Sequence, residues 1–147
     1  MFDVITLNHV IEHVHEPIKV LKLCHELLKP GGQLWLETPN IDSFGYARFK
    51  KNWRGLETPR HLILFNRSSL TQAFISAGFP LPNDCARPSP CVGIFMASFA
   101  MEHGYAPYQL LKVPKIFHWQ AIMTGYAGNL LPFRREFITM TARKMKL

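Results

Sequence analysis

The first apolar run, Phe2-Asp3-Val4-Ile5-Thr6-Leu7, is short and β-branched, which predicts a buried strand. Asn8–Glu16 reads as a loop or short turn, and Pro17 stands where a first helical turn tolerates it. Ile18, Leu21, Cys24 and Leu28 recur at spacings of three and four, the stripe of an amphipathic helix. Lys29-Pro30-Gly31-Gly32 stops that helix, with a cation in the last turn and glycines to reverse the chain. Gln33–Thr38 alternates and is rich in bulky apolar residues, a second strand. Strand, helix and strand in succession predict a βαβ unit with parallel strands and a right-handed crossover.

Pro39-Asn40 ends the second strand, and Ile41–Asn66 shows no clean period. A segment of that length without periodicity is commonly a functional lid or carries short irregular helices. A helix is expected from Ser68 as N-cap through Leu70, Phe74 and Ala77 to Gly78. Residues 80–91 hold four prolines and predict a loop. Val92–Ala100 is apolar enough for a strand, Tyr108–Leu131 reads as one or two helices, and Glu136–Ala142 predicts a closing strand. The order is that of an α/β fold.

Composition adds bounds. A chain of 147 residues with 48% hydrophobic and 18% charged content is one ordinary domain, not a collagen-like repeat or a disulfide miniprotein. The formal charge of +7 is unevenly spread. Residues 1–42 carry three Lys against six Asp/Glu, residues 43–70 six Arg/Lys against Glu57, and residues 134–147 five against Glu136. Two basic patches favour anionic partners, although such patches are usually solvated surface, and nucleic acid is not the expected partner. Cys24, Cys85 and Cys91 make an odd count without a CxxC pair, which suits a reducing cytoplasm. No signal peptide is visible. Ile116–Phe133 lacks Asp, Glu, Lys and Arg, but Gly125, Gly128, Asn129 and Pro132 break it short of a spanning helix. A soluble chain is expected, with peripheral contact to lipid left open.

Four short motifs stand in order: Phe2-Asp3-Val4-Ile5, Val10-Ile11-Glu12-His13-Val14, Leu28-Lys29-Pro30-Gly31-Gly32 and Leu36-Glu37-Thr38-Pro39-Asn40. Together they resemble the second half of a class I S-adenosylmethionine-dependent methyltransferase, of the ubiquinone-biosynthesis and type 11/type 23 kind. Trp53-Arg54-Gly55-Leu56-Glu57, Pro59-Arg60-His61-Leu62, Phe65 and Ala77-Gly78-Phe79 are similar to the lid and following helix of those enzymes. The resemblance covers residues 1–79 well and 134–144 loosely. It implies a partial Rossmann-like sheet with the family's strands 4-5-7-6, and S-adenosylmethionine lying across the carboxyl ends of the strands. It also implies residues 1–40 as the βαβ unit, 41–66 as the lid and 67–147 as the substrate side of a single domain. Leu7, Asn8 and His9 follow the family's fourth strand, so the resemblance places them against the cofactor. Gly31 and Gly32 are expected only to permit a tight turn.

The reaction implied is methyl transfer to a small-molecule oxygen, carbon or nitrogen, with His13, Arg60 and His61 around the acceptor. Transfer to oxygen needs a base, and a neutral imidazole takes a hydroxyl proton near neutral pH. His61 is either that base or a ring packed under the lid. Arg60 would orient an anionic substrate. His9-Val10-Ile11-Glu12-His13 is also a literal HxxEH, which on a helix would grip zinc and make a hydrolase. The segment leaves a strand directly and meets Pro17 four residues later, so this reading ranks last. Some quinol O-methyltransferases of the resembled family hold a divalent ion here, but His9 stands where they carry an acid, and no metal is assigned.

No G-x-G loop occurs. The chain is therefore expected to be an N-terminally truncated methyltransferase, with a non-catalytic remnant or partner subunit as the alternative. In the family's sheet the strand Phe2–Leu7 lies in the middle. As an edge it would invite a homodimer or a companion chain supplying the N-terminal half.

Overall fold

A computed structural model describes residues 1–85, 91–109 and 113–146. The chain divides into two compact units: Met1–Pro39, Arg60–Ala86 and Phe137–Leu147 form the first, and Asn40–Pro59 with Arg87–Glu136 form the second.

The first unit is a mixed α/β layer. Strand β1 (Phe2–Asn8) leads through a 3-10 turn at Ile11–His13 to helix α1 (Pro17–Leu27) and strand β2 (Leu28–Pro39). Pro17 occupies the first helical turn, as expected. β1 and β2 are parallel, with Ile5 opposite Leu34 and Leu7 opposite Leu36. The register slips between Phe2 and Val4, because Lys29–Gly32 bulges at the start of β2. Gly31 takes φ 80° there, and a side chain at Gly32 would press on the carbonyls of Lys29 and Phe2.

Helix α3 (Arg67–Ser76) and strands β3 (Asn83–Asp84) and β4 (Phe137–Arg143) complete this unit. The sheet order is β1-β2-β4-β3, with β4 antiparallel to both neighbours. This is the arrangement expected for strands 4-5-7-6. Ile138 to Ala142 are buried without alternation, as befits an inner strand covered on both faces. α1 and α3 close the core through Leu21, Cys24, Leu70 and Phe74 against Leu34, Leu36, Ile138 and Met140.

The second unit is helical: α2 (Phe44–Phe49), two 3-10 turns over Lys50–Leu56, α4 (Val92–Glu102) and α5 (Lys115–Leu130). The aperiodic stretch after β2 thus carries short irregular helices. Phe49, Trp53, Phe95, Met96, Phe99 and Ala121 form its core. Phe99 stacks on Phe117 with centroids 4.3 Å apart. Beneath α2, the buried Glu136 carboxylate accepts from the Gly45 backbone N–H at 2.7 Å and the Trp53 indole N–H at 2.8 Å.

Several boundaries differ from expectation. Val92–Ala100, expected as a strand, is the helix α4. Its run is apolar on every side, so period could not separate the two states, and Phe, Met and Ala outnumber β-branched residues within it. The outer strand paired with β4 is Asn83–Asp84 instead, inside the expected proline-rich loop, while residues 86–90 lie outside the described residues. α3 is capped by Asn66, not Ser68: the Asn66 side chain accepts from Ser69 N–H while the Ser69 hydroxyl accepts from Asn66 N–H. Among its described residues the Tyr108–Leu131 segment contributes one helix, α5, and residues 110–112 lie outside the described residues.

Candidate active site

β1 and β2 end side by side, with Asn8 opposite Glu37. Leu7 is half-buried and Asn8 exposed at this carboxyl end. His9 turns the chain in the left-handed region (φ 52°), and its backbone N–H donates to the Glu37 carbonyl at 3.0 Å. All three residues expected against a cofactor therefore sit on one ledge.

The turn after His9 buries Glu12 completely. Its carboxylate accepts from Thr38 Oγ1 at 3.0 Å and from His9 Nδ1 at 3.3 Å. Burial pushes the Glu12 carboxyl up, and the hydrogen bonds from His9, the backbone and Thr38 outweigh it, leaving the group below its ordinary value. The Glu12 carbonyl accepts from Leu62 N–H at 2.8 Å and Ile63 N–H at 3.2 Å. That pairing draws the Pro59-Arg60-His61 segment onto the turn.

His61 consequently lies with Nε2 4.0 Å from Glu12 Oε1, its side chain 5% exposed. The His13 and His61 rings meet edge to face, with centroids 4.7 Å apart. His13 Nδ1 lies 2.9 Å from the Arg60 carbonyl, which can only accept, so Nδ1 carries the proton. In the neutral ring, Nε2 then keeps its lone pair. The structure thus unites His13, His61 and the Arg60 backbone. Arg60 itself is exposed.

In the sequence Glu12 stands out only as part of the HxxEH pattern, and Thr38 carries no signal of a site. Its burial depends on Thr38 from β2, a contact across 26 positions that no local pattern encodes. The HxxEH segment is not a helix: its residues span the strand end and a single 3-10 turn, so His9 and His13 lack the shared helical face that reading required. Glu12, His13 and His61 each bring a ligand atom within 4.8 Å of the others, a donor set of the kind that holds a divalent cation.

Trp53 is fully buried, with its indole N–H on Glu136. Arg134 is partly buried beside the Phe44 and Phe133 rings. The helical unit has its own cavity of about 370 Å³, floored by Phe49, Phe95 and Phe99 and edged by Arg48 and Met123. Glu102 holds Arg48 there through two hydrogen bonds, at 2.7 and 3.0 Å.

The family model for a methyltransferase domain matches residues 1–81. The ubiquinone biosynthesis O-methyltransferase of Pseudomonas paraeruginosa is 47% identical over 45 residues, 31% of this chain and 19% of that protein. The Azotobacter vinelandii protein of the same name is 44% identical over 45 residues. The match spans about a fifth of the length of these curated relatives. A SAM-dependent methyltransferase from Thermotoga maritima superposes with a TM-score of 0.55 at 16% identity, over 97% of this chain and 56% of that one. Phosphoethanolamine N-methyltransferase 2 of Haemonchus contortus, solved with S-adenosyl-L-methionine, gives 0.54 at 15% identity, over 99% and 34%. The cyclase SpnF gives 0.54 at 20%, over 99% and 50%. At these identities the likeness is one of fold, and a cyclase among them shows that this fold alone does not name a reaction.

Proposed function

Because the chain belongs to the methyltransferase-domain family, we propose that it serves S-adenosylmethionine-dependent methyl transfer to a hydroxyl oxygen of a small molecule. The observation that carries this is the imidazole cluster beside the strand ends: His13, with its proton fixed on Nδ1, and His61 against the buried Glu12. The ledge fits the near side of the cofactor, since the exposed Asn8 amide offers a donor and an acceptor and His9 offers a ring edge. When bound, the cofactor supplies a methyl group on a sulfonium, which departs as a neutral thioether. His13 Nε2 accepts the acceptor's hydroxyl proton, exposing the oxygen lone pair for in-line attack. Glu12 holds the turn through Thr38 and His9. Arg60 orients an anionic acceptor from the rim.

We also propose that the β1 edge takes a strand from a second copy or a companion chain. The support is exposure: β1 pairs with β2 alone among the described strands, and Phe2 and Val4 are more than half exposed.

Incubation with methyl-labelled S-adenosylmethionine and matched panels of phenols and amines tests the reaction. The expected result is label on the phenols, reduced about 100-fold or more in His13→Gln. Label on amines alone, or full activity in that variant, contradicts the assignment.

A further inference from the structure

Helix α5 has two apolar faces, and the fold uses one. Ala121 is buried and Phe117 stacks on Phe99, beside the buried Val113 that precedes the helix. On the other side Ile116, Trp119, Met123, Tyr126 and Leu130 are 59%, 68%, 66%, 59% and 83% exposed. At 3.6 residues per turn these five fall within a sector about 80° wide, in a stripe about 21 Å long. Past the helix end, Leu131 and Phe133 are 43% and 54% exposed as well. Scattered exposed apolar residues need no explanation, but a continuous stripe marks a contact surface.

Charge selects the partner. From residue 103 to residue 135 the sequence holds no Asp or Glu, but it holds Lys112, Lys115, Arg134 and Arg135. Two copies of this face would set cation against cation, with no acid along the stripe to pair them. An anionic lipid surface supplies the opposite sign and an apolar layer together. Trp119 and Tyr126 are the ring types that settle at such a boundary. Among the described residues no helix is long and apolar enough to cross a membrane, which leaves an in-plane helix. We propose that α5 docks the protein on an anionic lipid surface, with its outer stripe at the headgroup boundary and the exposed Lys115 at phosphate level. This inference concerns the helical unit alone and does not rest on methyl transfer.

Cosedimentation of the full chain with unilamellar vesicles tests it. Vesicles of phosphatidylcholine mixed with phosphatidylglycerol should carry the protein down, with binding roughly tenfold weaker on phosphatidylcholine alone and reduced by added salt. Trp119→Ser with Tyr126→Ser and Leu130→Ser, all solvent-facing, should weaken binding to mixed vesicles by roughly tenfold or more while circular dichroism stays unchanged. Lys115→Glu, which leaves the stripe intact, should weaken it on mixed vesicles alone. Equal binding to both vesicle types, binding to neither, or a triple variant that binds like the parent overturns the proposal. So does a dimer in light scattering that the triple substitution dissolves, since the stripe would then belong to a second copy.

Discussion

Two buried carboxylates respond to burial in opposite ways. Glu12 is surrounded by donors that favour its charge, so it lies below its ordinary value. Glu136 is pushed up to about 7, because desolvation outweighs the donors Gly45, Trp53 and Ser43. With the folded value raised, the native state keeps a proton that the unfolded chain releases above its value of 4.5. The Glu136 contribution is thus fully present below the unfolded value and is lost as pH rises to about 7, by about 3 kcal/mol. Glu12 acts at the other end: its contribution is present above 4.5 and is lost as pH falls through its depressed value. Urea unfolding at about pH 5 and about pH 8 should therefore show a downward term in the parent that Glu136→Gln lacks; identical slopes in the two proteins would contradict it. That variant should also be destabilised by about 1–3 kcal/mol, because its amide N–H₂ faces donors. None of this was legible locally. His13 and His61 could be singled out as imidazoles beside familiar motifs, whereas Glu136 counted as one acid in a basic tail. Its burial comes from Gly45 and Trp53, more than eighty positions away.

Elements whose pattern is local and one-sided were the ones the sequence announced. α1 carries its stripe and its Pro17, and β1 and β2 carry apolar runs bounded by turn residues. α4 failed that test because both faces of the run are apolar, and β3 because two residues make no pattern. The edge position of β1 has a physical consequence. Ile5 and Leu7 are half-buried on the core side, while Phe2 and Val4 are exposed. If this edge pairs with another strand, Val4→Lys should shift the assembly towards monomer in light scattering, because a charge enters a sheet interface. An assembly indifferent to that change places the contact elsewhere. Gly45→Ala gives an independent check on α2: its methyl group would collide with the Glu136 carboxylate and the Trp53 indole nitrogen. A thermal midpoint lowered by several degrees is expected, and an unchanged one would contradict the packing described.

For the whole molecule, the family and the sheet order were legible because four motifs in the first forty residues keep their order and spacing. Which side chains meet at the strand ends was not, because Thr38 and His61 reach Glu12 only through the sheet and through the backbone pairing of Leu62 and Ile63. The account depends centrally on the ledge at Leu7, Asn8 and His9 receiving the cofactor. Isothermal titration of the full chain with S-adenosylhomocysteine tests it most directly. The account predicts saturable one-to-one binding in the micromolar range, about −8 kcal/mol at 1 μM, weakened by Asn8→Ala with circular dichroism unchanged. Absence of saturable heat up to about millimolar ligand, or binding untouched by the Asn8 change, would contradict it.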